Sequence, residues 1–416
     1  MFIQYPRLIK CVGTESVVEE KGEPMRNVVI TAACRTPIGT LGGQFKGLTA
    51  TDLSIPVMQE LVKRAGIDPV IIDDVIWGCN YQKTYKENNL ARVALVKAGL
   101  PETVPGITLH RNCTSSMSSI QFGFYQIMAG EADCIMAGGA DSMSTAPHVV
   151  YGARFGKKFG NFEMRDSMWD SLTNLGVGPA MGITAENVAE KYNVSREDMD
   201  AFSLRSQQRA VKAIDEGKFK EEIVPVTVKS KKGDVVIDTD EYPRRDSSLE
   251  KLAALKPSFK EDGKVTAGNA SGMNDAASGV LLMSEEKAKE VGAPILARVV
   301  STATTGVSPD YMGIGPIGAS RKALEKAGLQ ISDMDLFEIN EAFAAQAIAC
   351  ARELGIDEEK LNVNGSGISL GHPVGATGSR LVVTLISELK KRGGKYGLAT
   401  LCAGGGMDTA VIVEVM

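Results

Sequence analysis

The chain has 416 residues, 44 % of them apolar and 23 % charged, with a net charge of −5 and three histidines. That length asks for two or three domains. The weak negative charge, without a long basic run, excludes nucleic acid as the main partner, and no apolar run approaches the roughly 20 residues that span a bilayer. Seven scattered cysteines without a C-x-x-C pair fit a reducing compartment, here the cytoplasm, rather than a disulfide framework or a zinc site.

Residues 1–24 carry Glu15, Glu19, Glu20 and Glu23 and have no apolar stretch, so they read as an N-terminal extension rather than a targeting peptide. The first domain opens at Met25. Val28, Val29 and Ile30 predict a buried strand, and a helix over about 50–65 is capped by Thr49 or Thr51. "VIIDDVIWG" predicts a strand, "ENNLARVALVKAGL" a helix, and "GITLHRN" a strand ending at Cys113. Met117, Ile120, Phe124 and Ile127 follow at helical spacing. "CIMAGGADSM" closes this half as a strand. Strands separated by single helices predict parallel pairing in a layered α/β fold.

Residues 144–273 differ in character. They predict two helices, "GITAENVAEKYNV" and "REDMDAFSLRSQQRAVKAIDEGKF". A hairpin follows, turning at Lys231-Lys232-Gly233-Asp234. The last third then repeats the first. "PILARVVSTATTG" matches "NVVITAACRTPIG", "KALEKAGLQISDMDLFEINEAF" matches "ELVKRAGIDPVIIDDVIWGCNY", and "YGLATLCAGGGMDTAVIVEV" echoes "EADCIMAGGADSM". Three matches in the same order predict two copies of one βαβαβαββ unit. The division is 25–143 for the N-terminal half, 144–273 for an inserted loop subdomain and 274–416 for the C-terminal half.

Three candidate reactive groups stand at turns. Cys113 lies where a strand gives way to a helix, whose free N–H groups favour a thiolate. His372 sits among Gly365, Gly367, Gly371, Gly375 and Gly378, a density that demands tight turns or close packing. Cys402 precedes Gly404, Gly405 and Gly406, whose N–H groups are free to meet an oxyanion. A thiol that attacks a thioester, an imidazole that takes its proton and a second thiol that works at the α-carbon would make one site. The plainer readings are a helix-capping histidine and two cysteines serving as small apolar residues.

With these residues in place, the chain resembles the thiolases from Met25 to its C-terminus. The resemblance rests on "VITAACRTPIG", "NCTSSMSSIQ", "MGITAENVA", "SLEKLAALKPSF", "VTAGNASGMNDAAS", "GVSPDYMGIGP", "INEAFAAQ", "NVNGSGISLGHPVGATGSR" and "LCAGGGMDTAVIVE". It implies an α/β fold in five layers, α-β-α-β-α, built from the duplicated halves, with the insert binding coenzyme A. It implies condensation of two acetyl-CoA to acetoacetyl-CoA and CoA, reversible by thiolysis, through an acyl-cysteine. Cys113 would be the nucleophile and His372 its base. Cys402 would be the acid–base of the carbon–carbon step. Asn340 would position a water in one oxyanion hole, and the N–H groups of Cys113 and Gly404 would form the other. Coenzyme A is then a substrate and product, with no permanently bound cofactor and no metal. Its contacts would be Leu172, Met181, Arg244, Phe259, Ala267, Ala270, Ser271, Ala342 and Phe343, with Met181 and Met312 lining a short acyl pocket. The family pattern further implies a homodimer or homotetramer working in fatty acid metabolism.

Four positions depart from that pattern: Thr114-Ser115-Ser116 after the nucleophile, Ala180 in place of a histidine, Asp141 in place of glutamate, and Ser366 in place of glycine. His110 and His148 read as structural. The alternatives are a degradative 3-ketoacyl-CoA thiolase of broader chain length, a decarboxylating condensing enzyme of the same fold, and a catalytically silent CoA- or lipid-binding protein. Retention of Cys402 speaks against the second, and retention of Cys113, His372 and Cys402 together against the third.

Overall fold

Strand β1 (Val28–Arg35) is buried along its whole length, as its apolar run predicts. The structure, a computed structural model, describes residues 26–81, 87–231 and 233–416. The extension 1–24, Met25 and Lys232 of the expected hairpin turn lie outside the described residues. Helix α1 (Ala50–Ala65) opens on Thr49, whose side chain and that of Asp52 form a reciprocal cap, and closes on Gly66 at φ 65°. Strand β2 (Asp74–Gly78), helix α2 (Leu90–Lys97), strand β3 (Gly106–Leu109), helix α3 (Ser115–Met128) and strand β4 (Cys134–Ser142) follow. The insert carries α4 (Met181–Lys191), α5 (Arg196–Asp215) and the predicted antiparallel hairpin, Val226–Val228 against Val235–Ile237. Then come β5 (Asn274–Ser284), β6 (Ala297–Gly306), α6 (Gly315–Ala327), β7 (Leu336–Ile339) and α7 (Ala344–Leu354). The chain ends in α8 (Val374–Arg392), β8 (Tyr396–Ala403) and β9 (Met407–Val415).

The main sheet runs β7-β8-β9-β6-β1-β5-β4-β2-β3. Among the described residues, strand pairing joins its two halves where Val29 and Ile30 of β1 meet Arg298 and Ala297 of β6. Outward from this seam β6-β9-β8-β7 matches β1-β5-β4-β2, which is the duplication expressed in space; the N-terminal side carries β3 as a fifth strand. Pairing is mixed rather than all parallel. Strands linked through helices run parallel, β2 with β3 and β4, and β7 with β8. Strands β5, β1, β6 and β9 pair antiparallel with their neighbours.

One boundary is corrected. The sequence reading opens the C-terminal half at residue 274. In the structure β5 lies between β1 and β4 and pairs with both. It is the final strand of the N-terminal βαβαβαββ unit, delivered after the insert. The insert therefore interrupts the first unit rather than separating the two.

Five layers result. Helices α1 and α2 cover the outer face of the N-terminal half-sheet, and α6 and α7 cover that of the C-terminal half-sheet. Helices α3 and α8 pack on each other between the two. Three apolar clusters fill the spaces, led by Leu53, Leu61 and Trp77, by Ile339, Leu398 and Ile412, and by Ile120, Leu381 and Val413. Each such fully buried side chain contributes about 2 kcal/mol over its exposed state. Because α3 and α8 are central, their N-terminal ends come together at one end of the sandwich.

Candidate active site

Cys113 occupies the elbow between β3 and α3. The preceding Asn112 takes a left-handed conformation, φ 47°. The Thr114–Ser116 departure is accounted for here, since all three hydroxyls hold the elbow. Thr114 Oγ1 donates to the Arg111 carbonyl at 2.9 Å, and Ser115 Oγ donates to the Asn112 carbonyl at 2.6 Å. Ser116 Oγ accepts from the Ser379 N–H at 3.0 Å and ties α3 to α8. The N–H groups of Gly404 and of Cys113 itself approach the Cys113 sulfur and favour its thiolate, but burial outweighs them and pushes the thiol up to about 11. The N–H groups act in the direction expected of a helix terminus, but desolvation is the larger effect.

His372 is reached through Gly371 at φ 105°, where a Cβ would strike the Asn274 side chain. Asn274 Oδ1 accepts the His372 backbone N–H at 2.9 Å. The glycine density around His372 serves close approach. A Cβ at Gly139 of β4 would lie 2.1 Å from the Gly375 carbonyl oxygen in the first turn of α8. Asp141 fastens the same joint. It accepts from Gly375 N–H at 2.5 Å and from the N–H groups of Asn80 and Tyr81, and burial lifts its pKa to about 6.

The His372 ring is 7 % exposed. Nδ1 lies 2.7 Å from Thr377 Oγ1, and the Thr377 hydroxyl donates its single proton to the Pro373 carbonyl at 2.9 Å. Thr377 therefore accepts from Nδ1–H, which leaves Nε2 as the lone pair. Nε2 has no partner among the described residues. Burial, and then the Arg380 charge, lower the imidazole to about 3, so it is neutral at neutral pH. Asn340, in the loop from β7 to α7, holds Nδ2 3.5 Å from the same Nδ1, two donors that do not bond each other, and leaves its Oδ1 unpartnered.

Cys402 is buried near the end of β8. Burial pushes its thiol well above the usual range, and the nearby Cys113 sulfur pushes it further the same way. The turn after Cys402 is fastened from the other half of the molecule: Asn112 Nδ2 donates to the Gly404 carbonyl at 2.7 Å. Cys113, Gly404 and Cys402 thus form one cluster, and His372 and Asn340 another.

A cavity of about 180 Å³ opens beside them. His372 lines it together with Leu172, Met181, Phe259, Ala270, Ser271 and Phe343, all residues singled out from sequence. Met143 and Val374 line it too, and Cys113 packs against the small apolar cluster they form with Tyr81. The Met181 sulfur would lie 3.0 Å from a Cβ at Gly404, with Leu175 closer still. The other expected contacts sit apart from this cavity. Arg244 borders a separate groove with Gln207 and Arg245. Ala267 is exposed on the surface. Met312 is buried in the apolar cluster that also contains Cys402, and Ala342 is buried with its carbonyl accepting from Ser271 N–H at 2.9 Å.

Sequence reasoning did not single out Asn112, Asn274, Thr377 or Trp169, which also lines the cavity. The polar residues between β3 and α3 and five positions beyond His372 were the available signals.

Residues 28–286 match a sequence model described as the thiolase N-terminal domain, and residues 293–415 match the thiolase C-terminal domain. The chain is similar to an acetyl-CoA acetyltransferase of Syntrophomonas wolfei, 52 % identical over 94 % of this chain and 100 % of the relative. Among solved structures it is similar to the Bacillus anthracis acetyl-CoA acetyltransferase, with a TM-score of 0.92, 49 % identity and 94 % and 99 % of the two chains covered. It is also similar to human mitochondrial 3-ketoacyl-CoA thiolase in complex with CoA, with a TM-score of 0.91, 43 % identity and 94 % and 98 % covered.

Proposed function

Because the chain belongs to the thiolase family of acyltransferases, we propose that it is a biosynthetic-type thiolase that condenses two acetyl-CoA to acetoacetyl-CoA and CoA. The observation that carries the reading is the grouping of two thiols around the Gly404 turn, beside a cavity lined by a neutral imidazole with a free Nε2.

At neutral pH Cys113 and His372 are both uncharged, so the proton moves during attack. His372 Nε2 takes it as the Cys113 sulfur bonds to the acetyl carbon. The oxyanion is met by the N–H groups of Cys113 and Gly404, each such donor supplying about 3 kcal/mol. The carbon–sulfur bond of the thioester breaks, and the departing CoA thiolate takes the Cys402 proton. The Cys402 thiolate then takes a proton from the methyl carbon of a second acetyl-CoA, and the resulting enolate attacks acetyl-Cys113. The Cys113 sulfur leaves and recovers its proton from His372. Both thiols end as they began, and one CoA is released per acetoacetyl-CoA formed. In this reading the second thioester oxygen is polarised by protonated His372 and by a water that Asn340 positions.

Met181 and Leu175 against Gly404 favour a small acyl group, which supports acetyl over long chains. The similarity to 3-ketoacyl-CoA thiolase keeps the broader chain-length reading as the rival. We read the assembly as a cytoplasmic homodimer or homotetramer. Its support is the edge strand β3, which has a single neighbour and exposes Ile107. Among the described residues no helix is long and apolar enough to cross a membrane.

Radiolabelled acetyl-CoA should leave one acetyl group on Cys113, found by peptide mapping, and Cys113→Ala should abolish both the label and turnover. Label retained in that variant would sink the mechanism. A higher rate on ketodecanoyl-CoA than on acetoacetyl-CoA would favour the rival.

A further inference from the structure

One buried acid next to the site has no part in the steps above. Asp408, the second residue of β9, lies directly opposite Cys402 of β8 and Thr305 of β6. Directly opposed residues on antiparallel strands project from the same face, with Cβ atoms about 5 Å apart. The carboxyl therefore sits in a row between the Cys402 thiol and the Thr305 hydroxyl. It lies against Gly315, the first residue of α6, where a Cβ would come within 1.6 Å of Oδ2. Asp408 is fully buried, and neither of its oxygens has a partner among the described residues; nor does Thr305 Oγ1.

We propose that Asp408 is a positioning residue for the carbon–carbon step. While neutral, it lets Cys402 pass through its thiolate; once ionised, it holds Cys402 protonated. The proposal rests on the reading of Cys402 as the acid–base thiol. In that reading Cys402 becomes a thiolate in every turnover, in either direction. A carboxylate opposite it would place a second negative charge in the same dry space.

Burial is what acts on Asp408, and it lifts the acid to about 8. Its charge reaches three titratable groups: Cys402 on β8, Cys350 on α7 and, more weakly, Cys113 before α3. Thr305 on β6 and Gly315 on α6 face it without charge. Cys350 is itself turned to the Gly313 carbonyl, 3.3 Å away, so Cys402 is the reactive group that Asp408 addresses. The acid is neutral through pH 7 and ionises just above, so each step that passes through the Cys402 thiolate, loading of Cys113 included, loses rate as pH rises.

The test compares wild type with Asp408→Asn, measuring thiolysis of acetoacetyl-CoA and, separately, acetylation of Cys113 by acetyl-CoA from pH 6.5 to 9.5. In wild type the thiolysis rate should fall roughly tenfold from pH 7 to pH 9, following loss of the neutral acid. Asp408→Asn should remove that limb from both the thiolysis and the acetylation profiles. Superimposable thiolysis profiles would overturn the proposal. Cys402→Ala separates the two readings: if it still cleaves acetoacetyl-CoA, the acid–base assignment itself fails, whatever Asp408 does. Should Asp408→Asn not fold, alkylation of Cys402 by iodoacetamide in Cys113→Ala protein gives the answer with Asp408 intact. Its rate should bend below a tenfold rise per pH unit above about pH 8, and an unbroken tenfold rise to pH 9 would overturn the proposal.

Discussion

Cys113 and His372 rest as a neutral pair, with a thiol near 11 and an imidazole near 3, both through burial. The tautomer therefore matters more than the charge. It is set by Thr377, whose hydroxyl is committed to Pro373 and so must accept from Nδ1. Thr377→Val keeps the shape and removes the acceptor. We expect kcat to fall by about tenfold, the worth of one buried hydrogen bond, with KM for acetyl-CoA and the melting temperature nearly unchanged. Steady-state kinetics on both substrates checks this, and an unchanged kcat would mean that Thr377 does not set the tautomer. The candidate side chains Cys113, His372 and Cys402 stood out because each sits in its own conspicuous local setting, a strand-to-helix elbow or a run of glycines. Their supports were not. Asn112 reaches a carbonyl 292 positions away, and no local pattern announces such a bond.

The central helices α3 and α8 are held by backbone contact rather than by side-chain interdigitation at their N-terminal ends. Gly139 against the Gly375 carbonyl is the tightest of these approaches. Gly139→Ala should cost about 3 kcal/mol, the upper end of overpacking in a filled core, seen as a lower urea midpoint at constant slope. Gly130→Ala, at φ 77° with open space around it, should cost about 1 kcal/mol from conformation alone. Equal losses at the two sites would refute the packing argument. Periodicity gave the helices and their caps, and the repeat gave the βαβαβαββ unit. Strand direction was less legible. A strand reached by a helical crossover declares itself parallel, whereas β5 arrives from the insert and carries no such mark. The same ambiguity misplaced the boundary at residue 274.

Across the whole molecule, the insert is bound to the frame by buried charge. Arg35 at the end of β1 pairs with Glu222 at 2.6 Å and Asp240 at 2.7 Å, both from the insert, and Thr384 of α8 donates to Glu222 at 3.2 Å. Arg35→Ala would strand two carboxylates in the interior and should destabilise by about 4 kcal/mol. Urea unfolding measures the loss, and limited proteolysis should cut first between residues 144 and 273. A variant as stable as wild type would show the network to be dispensable. Partners 187 and 205 positions from Arg35 were invisible to sequence patterns. The course of β4 and β5 carries one more consequence. Ser142 pairs with Asp275, so the chain departs and returns at adjacent points. In the other copy the equivalent strands close with Gly404, Gly405 and Gly406 alone. The large segment is thus a cassette spliced into one of two equivalent hairpins. A replacement would need ends one strand spacing apart, about 5 Å, acids to meet Arg35, and apolar side chains where Ala185, Val194, Met199 and Phe202 now pack on the C-terminal half.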